Sequence, residues 1–432
     1  MLRFAPSPTG DMHIGNLRVA IFNYLLSKQR NEPLIVRIED IDKECNIEGK
    51  DKEIIDILNL FGIEYRDVIH QSNHLKYHRT MALQLLHDKK AFNCFCSPET
   101  LEAKREAAKA AKKAYRYDGA CENLSAEETI DNPNPFTIRL KKPSEAIVVN
   151  DLVKGGSRFE PEDIDSFIIM NADKYPTCNF ACAVDDMIGD ISIVVRGEEH
   201  VSNTPEQIAI RNALGYTKTI EYAHLPIILN DEGKKMSKRD NASSVKWMLE
   251  EGFLPEAIAN YLILIGNKVP VEVFNMDEAV TWFDLGHISK APARFDLDKL
   301  RFINKEHLKR LDAKELSRYV GFADEEIGNL AKVYLDETST LKELREKIAL
   351  IFAPKVISDE YAKEAQKLKK LIQSAPHFDE FDAFKSYLMQ ESALKGKQFF
   401  KPLSLLLSGA EYGPEVADLY PYLKNYIGEI VK

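Results

Sequence analysis

Leu2-Arg3-Phe4-Ala5-Pro6-Ser7-Pro8-Thr9-Gly10-Asp11-Met12-His13-Ile14-Gly15-Asn16-Leu17 reads as a strand, a loop and the first turn of a helix. Leu2 to Ala5 is a short strand, broken by two prolines and a glycine between positions 6 and 10. Leu17, Ala20, Ile21, Tyr24 and Leu25 then recur at helical spacing. A second strand follows at Leu34–Ile38 and runs into the charged Glu39-Asp40-Ile41-Asp42. Helical patterns come next at 51–61, stopped by Gly62, and at 73–89, capped by Ser72. Strand, loop, helix, strand and helix at these lengths predict a parallel, doubly wound sheet.

Outward from this opening the alternation is lost between 75 and 177. A lysine-rich helix starts at Ser97-Pro98-Glu99, and Phe136–Leu140 and Ala146–Asn150 are short strand-like pieces. The stretch is expected to be an insertion and not a continuation of the sheet. Sheet-like sequence resumes at Ile191–Val195 and enters Arg196-Gly197-Glu198-Glu199-His200. Thr204-Pro205-Glu206-Gln207 has the pattern of a capping box opening a helix through Leu214, and Leu225–Leu229 is another apolar strand. Beyond about 300 the pattern is helical, as in Leu341–Phe352 and Tyr361–Ile372. The expectation is an α/β Rossmann-type catalytic domain (1–74 and 178–241) with an α+β insertion (75–177). A connecting domain (242–305) and an all-α C-terminal domain (306–432) complete the chain.

Composition agrees with this plan. A chain of 432 residues is long enough for two to four domains, and 44% hydrophobic with 29% charged residues is a globular balance. Disorder, collagen-like repetition and a disulfide-dense mini-protein are excluded. Apolar runs such as 261–265 fall far short of the ~18 residues of a membrane span. The opening residues hold no apolar targeting stretch and the six cysteines form no secreted framework, so a reducing cytoplasm is expected. The net charge of 58 − 68 = −10 does not by itself suggest a nucleic-acid binder, but binding follows local patches. Lys234, Lys235, Lys238 and Arg239 make one dense patch. Lys104, Arg105, Lys109, Lys112, Lys113 and Arg116 make a diffuse one, read as a solvated helix face.

Ligands of open parallel sheets bind beyond the carboxyl ends of the strands, which gathers Arg3 to Ser7, Glu39, Arg196 and the 234–239 loop around one crevice. Two arginines can fork onto a carboxylate while Glu39 holds an ammonium, a set suited to an amino acid with an extra acidic group. Taken singly, each would be a surface ion pair. His13 sits at a helix N-terminus, where free N–H groups and the dipole favour phosphate; it reads either as a phosphate donor or as a helix cap. Gly233-Lys234-Lys235-Met236-Ser237-Lys238-Arg239 lacks the spacing of a phosphate-binding Gly-Lys-Ser/Thr loop. Its lysines could close over a triphosphate and neutralise departing pyrophosphate with Mg²⁺, or it could be a charged turn.

His13-Ile14-Gly15-Asn16 and Lys235-Met236-Ser237-Lys238-Arg239, about 220 residues apart, resemble the paired ATP-binding motifs of class I aminoacyl-tRNA synthetases. Arg3 through Gly15 resembles the bacterial glutamyl-tRNA synthetases more closely. So do Arg37-Ile38-Glu39-Asp40-Ile41-Asp42, Val184-Asp185-Asp186, Arg196 through Pro205 and His224-Leu225-Pro226. The resemblance is strong from 1 to about 300 and rests on helical character and position from there to 432. It implies activation of glutamate with ATP to glutamyl-adenylate, and transfer to the 3′ end of tRNA-Glu, tRNA-Gln or both by a monomeric enzyme. Arg3, Ala5, Ser7, Glu39, Cys178 and Arg196 then match the glutamate pocket. His13, Gly15, Lys235, Met236, Ser237 and Lys238 match the ATP site, with Lys238 as the main phosphate contact. The insertion would grip the tRNA acceptor end and the C-terminal helices would read the anticodon.

Two departures accompany the matches. Cys178 stands where many relatives carry a tyrosine, and Cys182 lies one helical turn on; the pair reads as pocket wall, with metal binding as the other reading. Cys94, Cys96, Tyr117 and Cys121 resemble a zinc knuckle of some family members, although Asn123 replaces a histidine found in relatives. Both a Zn²⁺ site and a metal-free relic stay open. Three rival readings are a paralogue that loads glutamate onto a modified tRNA base, glutaminyl-tRNA synthetase, and a catalytically silent regulator. The first lacks a C-terminal domain, the second has β-barrels there, and intact His13, Lys235 and Lys238 argue against the third.

Overall fold

Leu34–Ile38 is buried at every position, as a strand covered on both faces must be. It belongs to a seven-stranded sheet ordered Asp67–His70, Leu34–Ile38, Leu2–Phe4, Ile193–Gly197, Glu221–Leu225, Ile147–Asp151, Gly155–Phe159. The first six strands run parallel and the last turns back antiparallel. The structure, a computed structural model, describes residues 1–237, 240–357 and 359–432. It contains two compact units: Met1–Val245 with Leu262–Pro270 and Phe274–Phe295, and Lys246–Tyr261 with Val271–Val273 and Asp296–Lys432. The stretch 242–305 is therefore shared between the units and does not form a domain of its own.

The sheet departs from the sequence reading in three places, each with a local cause. The hairpin 147–159, expected in the insertion, extends the sheet instead, docking through Tyr222 opposite Asp151. The rest of the insertion does stand apart, as a three-stranded antiparallel sheet of Ala91–Cys94, Thr137–Leu140 and Ile168–Met170. Leu225–Leu229 is not one strand: Pro226 has no N–H for a ladder, so the main strand ends at Leu225, and Ile228–Leu229 pairs with Ala293–Arg294. Asp67–His70 carries no strand signature in the sequence because it is a half-exposed edge strand with little apolar pattern.

Two expected helix caps also differ. Ser72 lies in a 3₁₀ turn, Gln71–His74, ahead of the helix Leu75–His87; its hydroxyl donates to Asp40 (2.7 Å). Thr204 is inside the helix Thr204–Ala213, and its hydroxyl is used elsewhere. Ser97 does cap the helix Pro98–Ala110, accepting from the Thr100 N–H at 3.2 Å. That helix is the solvated face expected, with Lys104, Arg105 and Lys109 paired to Asp118, Glu102 and Glu106.

The second unit is helical, and no strand occurs among its described residues. Leu341–Phe352 has the expected bounds, capped by Thr340 and burying Leu341, Leu344, Ile348 and Ile351 along one stripe. Buried Asn304 ties three segments of this unit, accepting from the Leu254 N–H and donating to the Ser339 carbonyl at 2.6 Å.

Candidate active site

A cavity of about 550 Å³ opens at the carboxyl ends of Leu2–Phe4, Ile193–Gly197 and Glu221–Leu225. Arg3, Ala5, His13, Gly15, Glu39, Cys178, Arg196, Lys235, Met236 and Ser237 line it together. Ser7 is exposed and is not on its wall; its carbonyl accepts from the Thr9 N–H in the loop. Lys238 lies outside the described residues.

The two arginines are held from behind by different means. Arg3 donates from Nε to Asp186 (3.2 Å) and from Nη1 to the Val195 carbonyl (3.4 Å). The same Asp186 oxygen accepts from Arg37 at 2.6 Å. Burial alone would raise the Asp186 pKa, but the Arg37 and Arg3 guanidiniums outweigh it and hold the carboxyl at about 2. Asp186 is thus a fixed anion under two buried cations. The bonds of Arg3 use Nε and Nη1 and leave Nη2 for a ligand.

Arg196 is fixed through a relay. Its Nη1 donates to Gln207 (2.9 Å), Nη2 to Thr204 (2.8 Å) and the His200 carbonyl (3.2 Å), and Nε to His224 Nε2 (3.0 Å). Arginine cannot accept, so His224 Nε2 must be the acceptor and its proton must sit on Nδ1. That proton faces Asp151 at 2.5 Å. Burial lowers the His224 pKa and the Arg196 charge adds to this, against the pull of Asp151, so the ring is neutral. Thr204 and Gln207, the two ends of the expected capping box, hold Arg196 and not the helix N-terminus. Asp151 reaches His224 because the hairpin 147–159 joins the sheet beside Glu221–Leu225.

Of the two readings of His13, the helix cap is the one observed. It is the N-cap of the helix Ile14–Arg30, and its Nδ1 accepts from the Gly15 N–H at 3.0 Å. The ring proton therefore sits on Nε2, a buried donor that faces the Met236 carbonyl. Burial, then the Lys235 charge, lowers its pKa and keeps the ring neutral. A Cβ on Gly15 would lie 3.2 Å from His13 Nδ1, so only glycine lets the ring close this cap without displacement.

The lysine loop is anchored at both ends. Gly233 turns the chain at φ 76°, and the buried Met236 returns its N–H to the Ile228 carbonyl at 3.0 Å. Asp240 accepts from the Ser237 N–H (2.8 Å) and from Asn230 (3.3 Å). Lys235 Nζ lies 3.8 Å from Glu199 on the cavity wall.

Residues 1–302 match the family model for the catalytic domain of class I tRNA synthetases specific for glutamate and glutamine. The chain is 68% identical to glutamate–tRNA ligase 2 of Sulfurimonas denitrificans and 59% identical to glutamate–tRNA ligase 1 of a Nitratiruptor species, each over the full length of both chains. The chain belongs to the class I glutamyl-tRNA synthetases. Its fold resembles a crystal structure of a glutamate tRNA ligase from Elizabethkingia meningosepticum in complex with its amino acid. That likeness has a TM-score of 0.85 and 26% identity, and covers all of this chain and 98% of the other.

The insertion brings Cys94, Cys96 and Cys121 together, their sulfurs all within 4.8 Å of one another. The Tyr117 hydroxyl lies 3.4 Å from Cys94 and 3.6 Å from Cys96. Burial would raise the Cys94 pKa, but the Tyr117 hydroxyl, the Cys96 N–H and Arg139 bring it down to about 7. Three convergent thiols, Cys94 about half thiolate at neutral pH while burial pushes Cys96 up to about 11, and a phenol within reach fit a tetrahedral thiophilic ion.

Sequence reasoning gives no role in holding this synthetase site to Arg37, Asp151, Asp186, Thr204, Gln207 or Asp240. Val184-Asp185-Asp186 and His224 were singled out within motifs but given no role, because a residue's partner across the sheet leaves no trace in local spacing.

Proposed function

We propose that the protein is a glutamate–tRNA ligase that activates L-glutamate with ATP and passes it to the 3′ end of tRNA-Glu, tRNA-Gln or both. The observation that carries the substrate is the pair Arg3 and Arg196, both preorganised on one cavity wall with Glu39. Their donors fit the side-chain carboxylate of glutamate, and Glu39 fits its ammonium group. The α-carboxylate then attacks the α-phosphorus of ATP, and pyrophosphate leaves. The neutral His13 offers its Nε2–H to a phosphate oxygen beside the helix N-terminus, and Lys235 and Lys238 supply positive charge to the leaving group. Mg²⁺, if bound with ATP, would add to that neutralisation. No side chain needs to act as nucleophile; the site works by position and charge. The insertion takes the acceptor end, with a Zn²⁺ on Cys94, Cys96, Tyr117 and Cys121 stapling its small core. The helical unit reads the anticodon, and the enzyme works as a monomer in the cytoplasm; among its described residues no helix is long and apolar enough to cross a membrane.

ATP–pyrophosphate exchange with tRNA present tests the reaction, run with glutamate and with glutamine. A site built to donate to a carboxylate meets the glutamine amide N–H against its own donors, so glutamine should be poorer by ~10⁴. Comparable exchange with glutamine overturns the assignment of Arg3 and Arg196. Charging of purified tRNA-Glu and tRNA-Gln in parallel decides between the two acceptors.

A further inference from the structure

The amino-acid cavity contains a second group of metal-ligating side chains besides the knuckle. Cys178 and Cys182 occupy the first turns of the helix Cys178–Ile188, and Glu39 follows the strand Leu34–Ile38. One donor atom from each lies within 4.8 Å of the other two. The sulfurs are 3.9 Å apart, and the Cys182 thiol donates to Glu39 Oε1 at 3.1 Å. All three residues line the cavity, so a bound ion would be reached from solvent and would keep one side open.

We propose that Glu39, Cys178 and Cys182 form a binding site for a thiophilic divalent cation, Zn²⁺ by preference, whose occupancy excludes glutamate.

Distances favour a metal over the other chemistry open to two cysteines. With Zn–S bonds of ~2.3 Å and a tetrahedral angle, two ligating sulfurs stand ~3.8 Å apart, close to the separation found here. A disulfide needs Cβ atoms ~3.5–4.5 Å apart, whereas residues four apart on a helix hold them at ~5–6 Å. The bond would break the helix; the metal would not. Paired ligands at this spacing on one helix face are a recurrent way to grip zinc. The proton that Cys182 shares with Glu39 marks where the ion would go, and binding would release the two thiol protons to solvent. Mg²⁺ accompanying ATP would not compete, because it is a hard cation that takes oxygen ligands and avoids thiolates.

The exclusion of substrate rests on reading the cavity as the glutamate pocket. Glu39 can hold either the ammonium or the metal, and the ion would repel the ammonium from the same place. Zinc should therefore inhibit, and high glutamate should protect.

The test is a Co²⁺ titration of protein whose knuckle has first been filled with Zn²⁺, following thiolate-to-cobalt absorption. One further Co²⁺ per chain is expected, with the band lost in the C178S/C182S double variant. Glutamate at ~100 times its Kd should weaken the apparent Co²⁺ affinity ~100-fold in the wild type, a measurement that needs no variant to fold. Absence of the band in the wild type, or its survival in the double variant, overturns the metal site; calorimetric binding of glutamate would still uphold the pocket. A band lost in the double variant but indifferent to glutamate upholds the metal site and overturns the pocket.

Discussion

Replacing Asp186 with asparagine removes the one anion shared by Arg3 and Arg37, both of them buried. The carboxyl is held at about 2 against an ordinary 3.8, and that depression is worth roughly 2 kcal/mol of folding stability. Asparagine does more harm than a proton, because its amide N–H groups meet guanidinium donors. Breaking a buried pair from one side typically costs ~3–5 kcal/mol. The expected loss at pH 7 is therefore ~2–5 kcal/mol, read from the urea dependence of hydrogen exchange at the sheet amides. The pH dependence has a definite sign. A carboxyl whose folded pKa is depressed contributes stability that is complete above its unfolded value and lost as pH falls through the folded one. The gap between wild type and Asp186→Asn should be full above pH ~4 and narrow as pH falls towards 2. Arg3 also loses its anchor, so KM for glutamate should rise more than kcat falls. A stability difference below ~1 kcal/mol at pH 7, or one that does not change between pH 4 and 2, would refute the account of Asp186 as a counterion.

Other outcomes can be checked as directly. Lys238→Ala should slow adenylate formation by ~10²-fold or more with little change in glutamate affinity, since its charge matters most when pyrophosphate departs; an unchanged turnover removes it from the ATP site. Because burial and Lys235 lower the His13 pKa, kcat/KM for ATP should hold as pH falls to 6.5 and drop only below it; a midpoint above 6.5 contradicts the neutral Nε2–H donor. Protein purified without chelator should carry close to one zinc on the knuckle, and stripping it should weaken tRNA binding before glutamate activation. Metal near zero, with Cys94→Ser leaving charging intact, would make those cysteines a packed relic.

Local patterns are legible because their causes are local. The strand Leu34–Ile38, the helix after His13 and the helix Leu341–Phe352 each follow from apolar period, turn residues and caps within a few positions. The strand-end rule then gathers Arg3, Glu39 and Arg196 without knowledge of any contact, since parallel topology alone puts those ends on one side. The capping-box reading of Thr204 and Gln207 fails because the half-buried Arg196 guanidinium competes for the same polar groups, and partial desolvation makes that demand stronger than an exposed cap's.

Sequence pattern suffices for a parallel sheet, the order of its first elements, the helical region beyond about 300 and the side of the sheet that carries the site. Packing of distant segments is what joins the hairpin 147–159 to the sheet and so delivers Asp151 to His224. It also decided that one Asp186 oxygen serves two arginines, and that Glu39 meets Cys178 and Cys182 across more than 130 residues of chain. The physical reason is range. Backbone preference and side-chain period act over one or two turns, whereas a buried charge must find its partner wherever the packed chain places one.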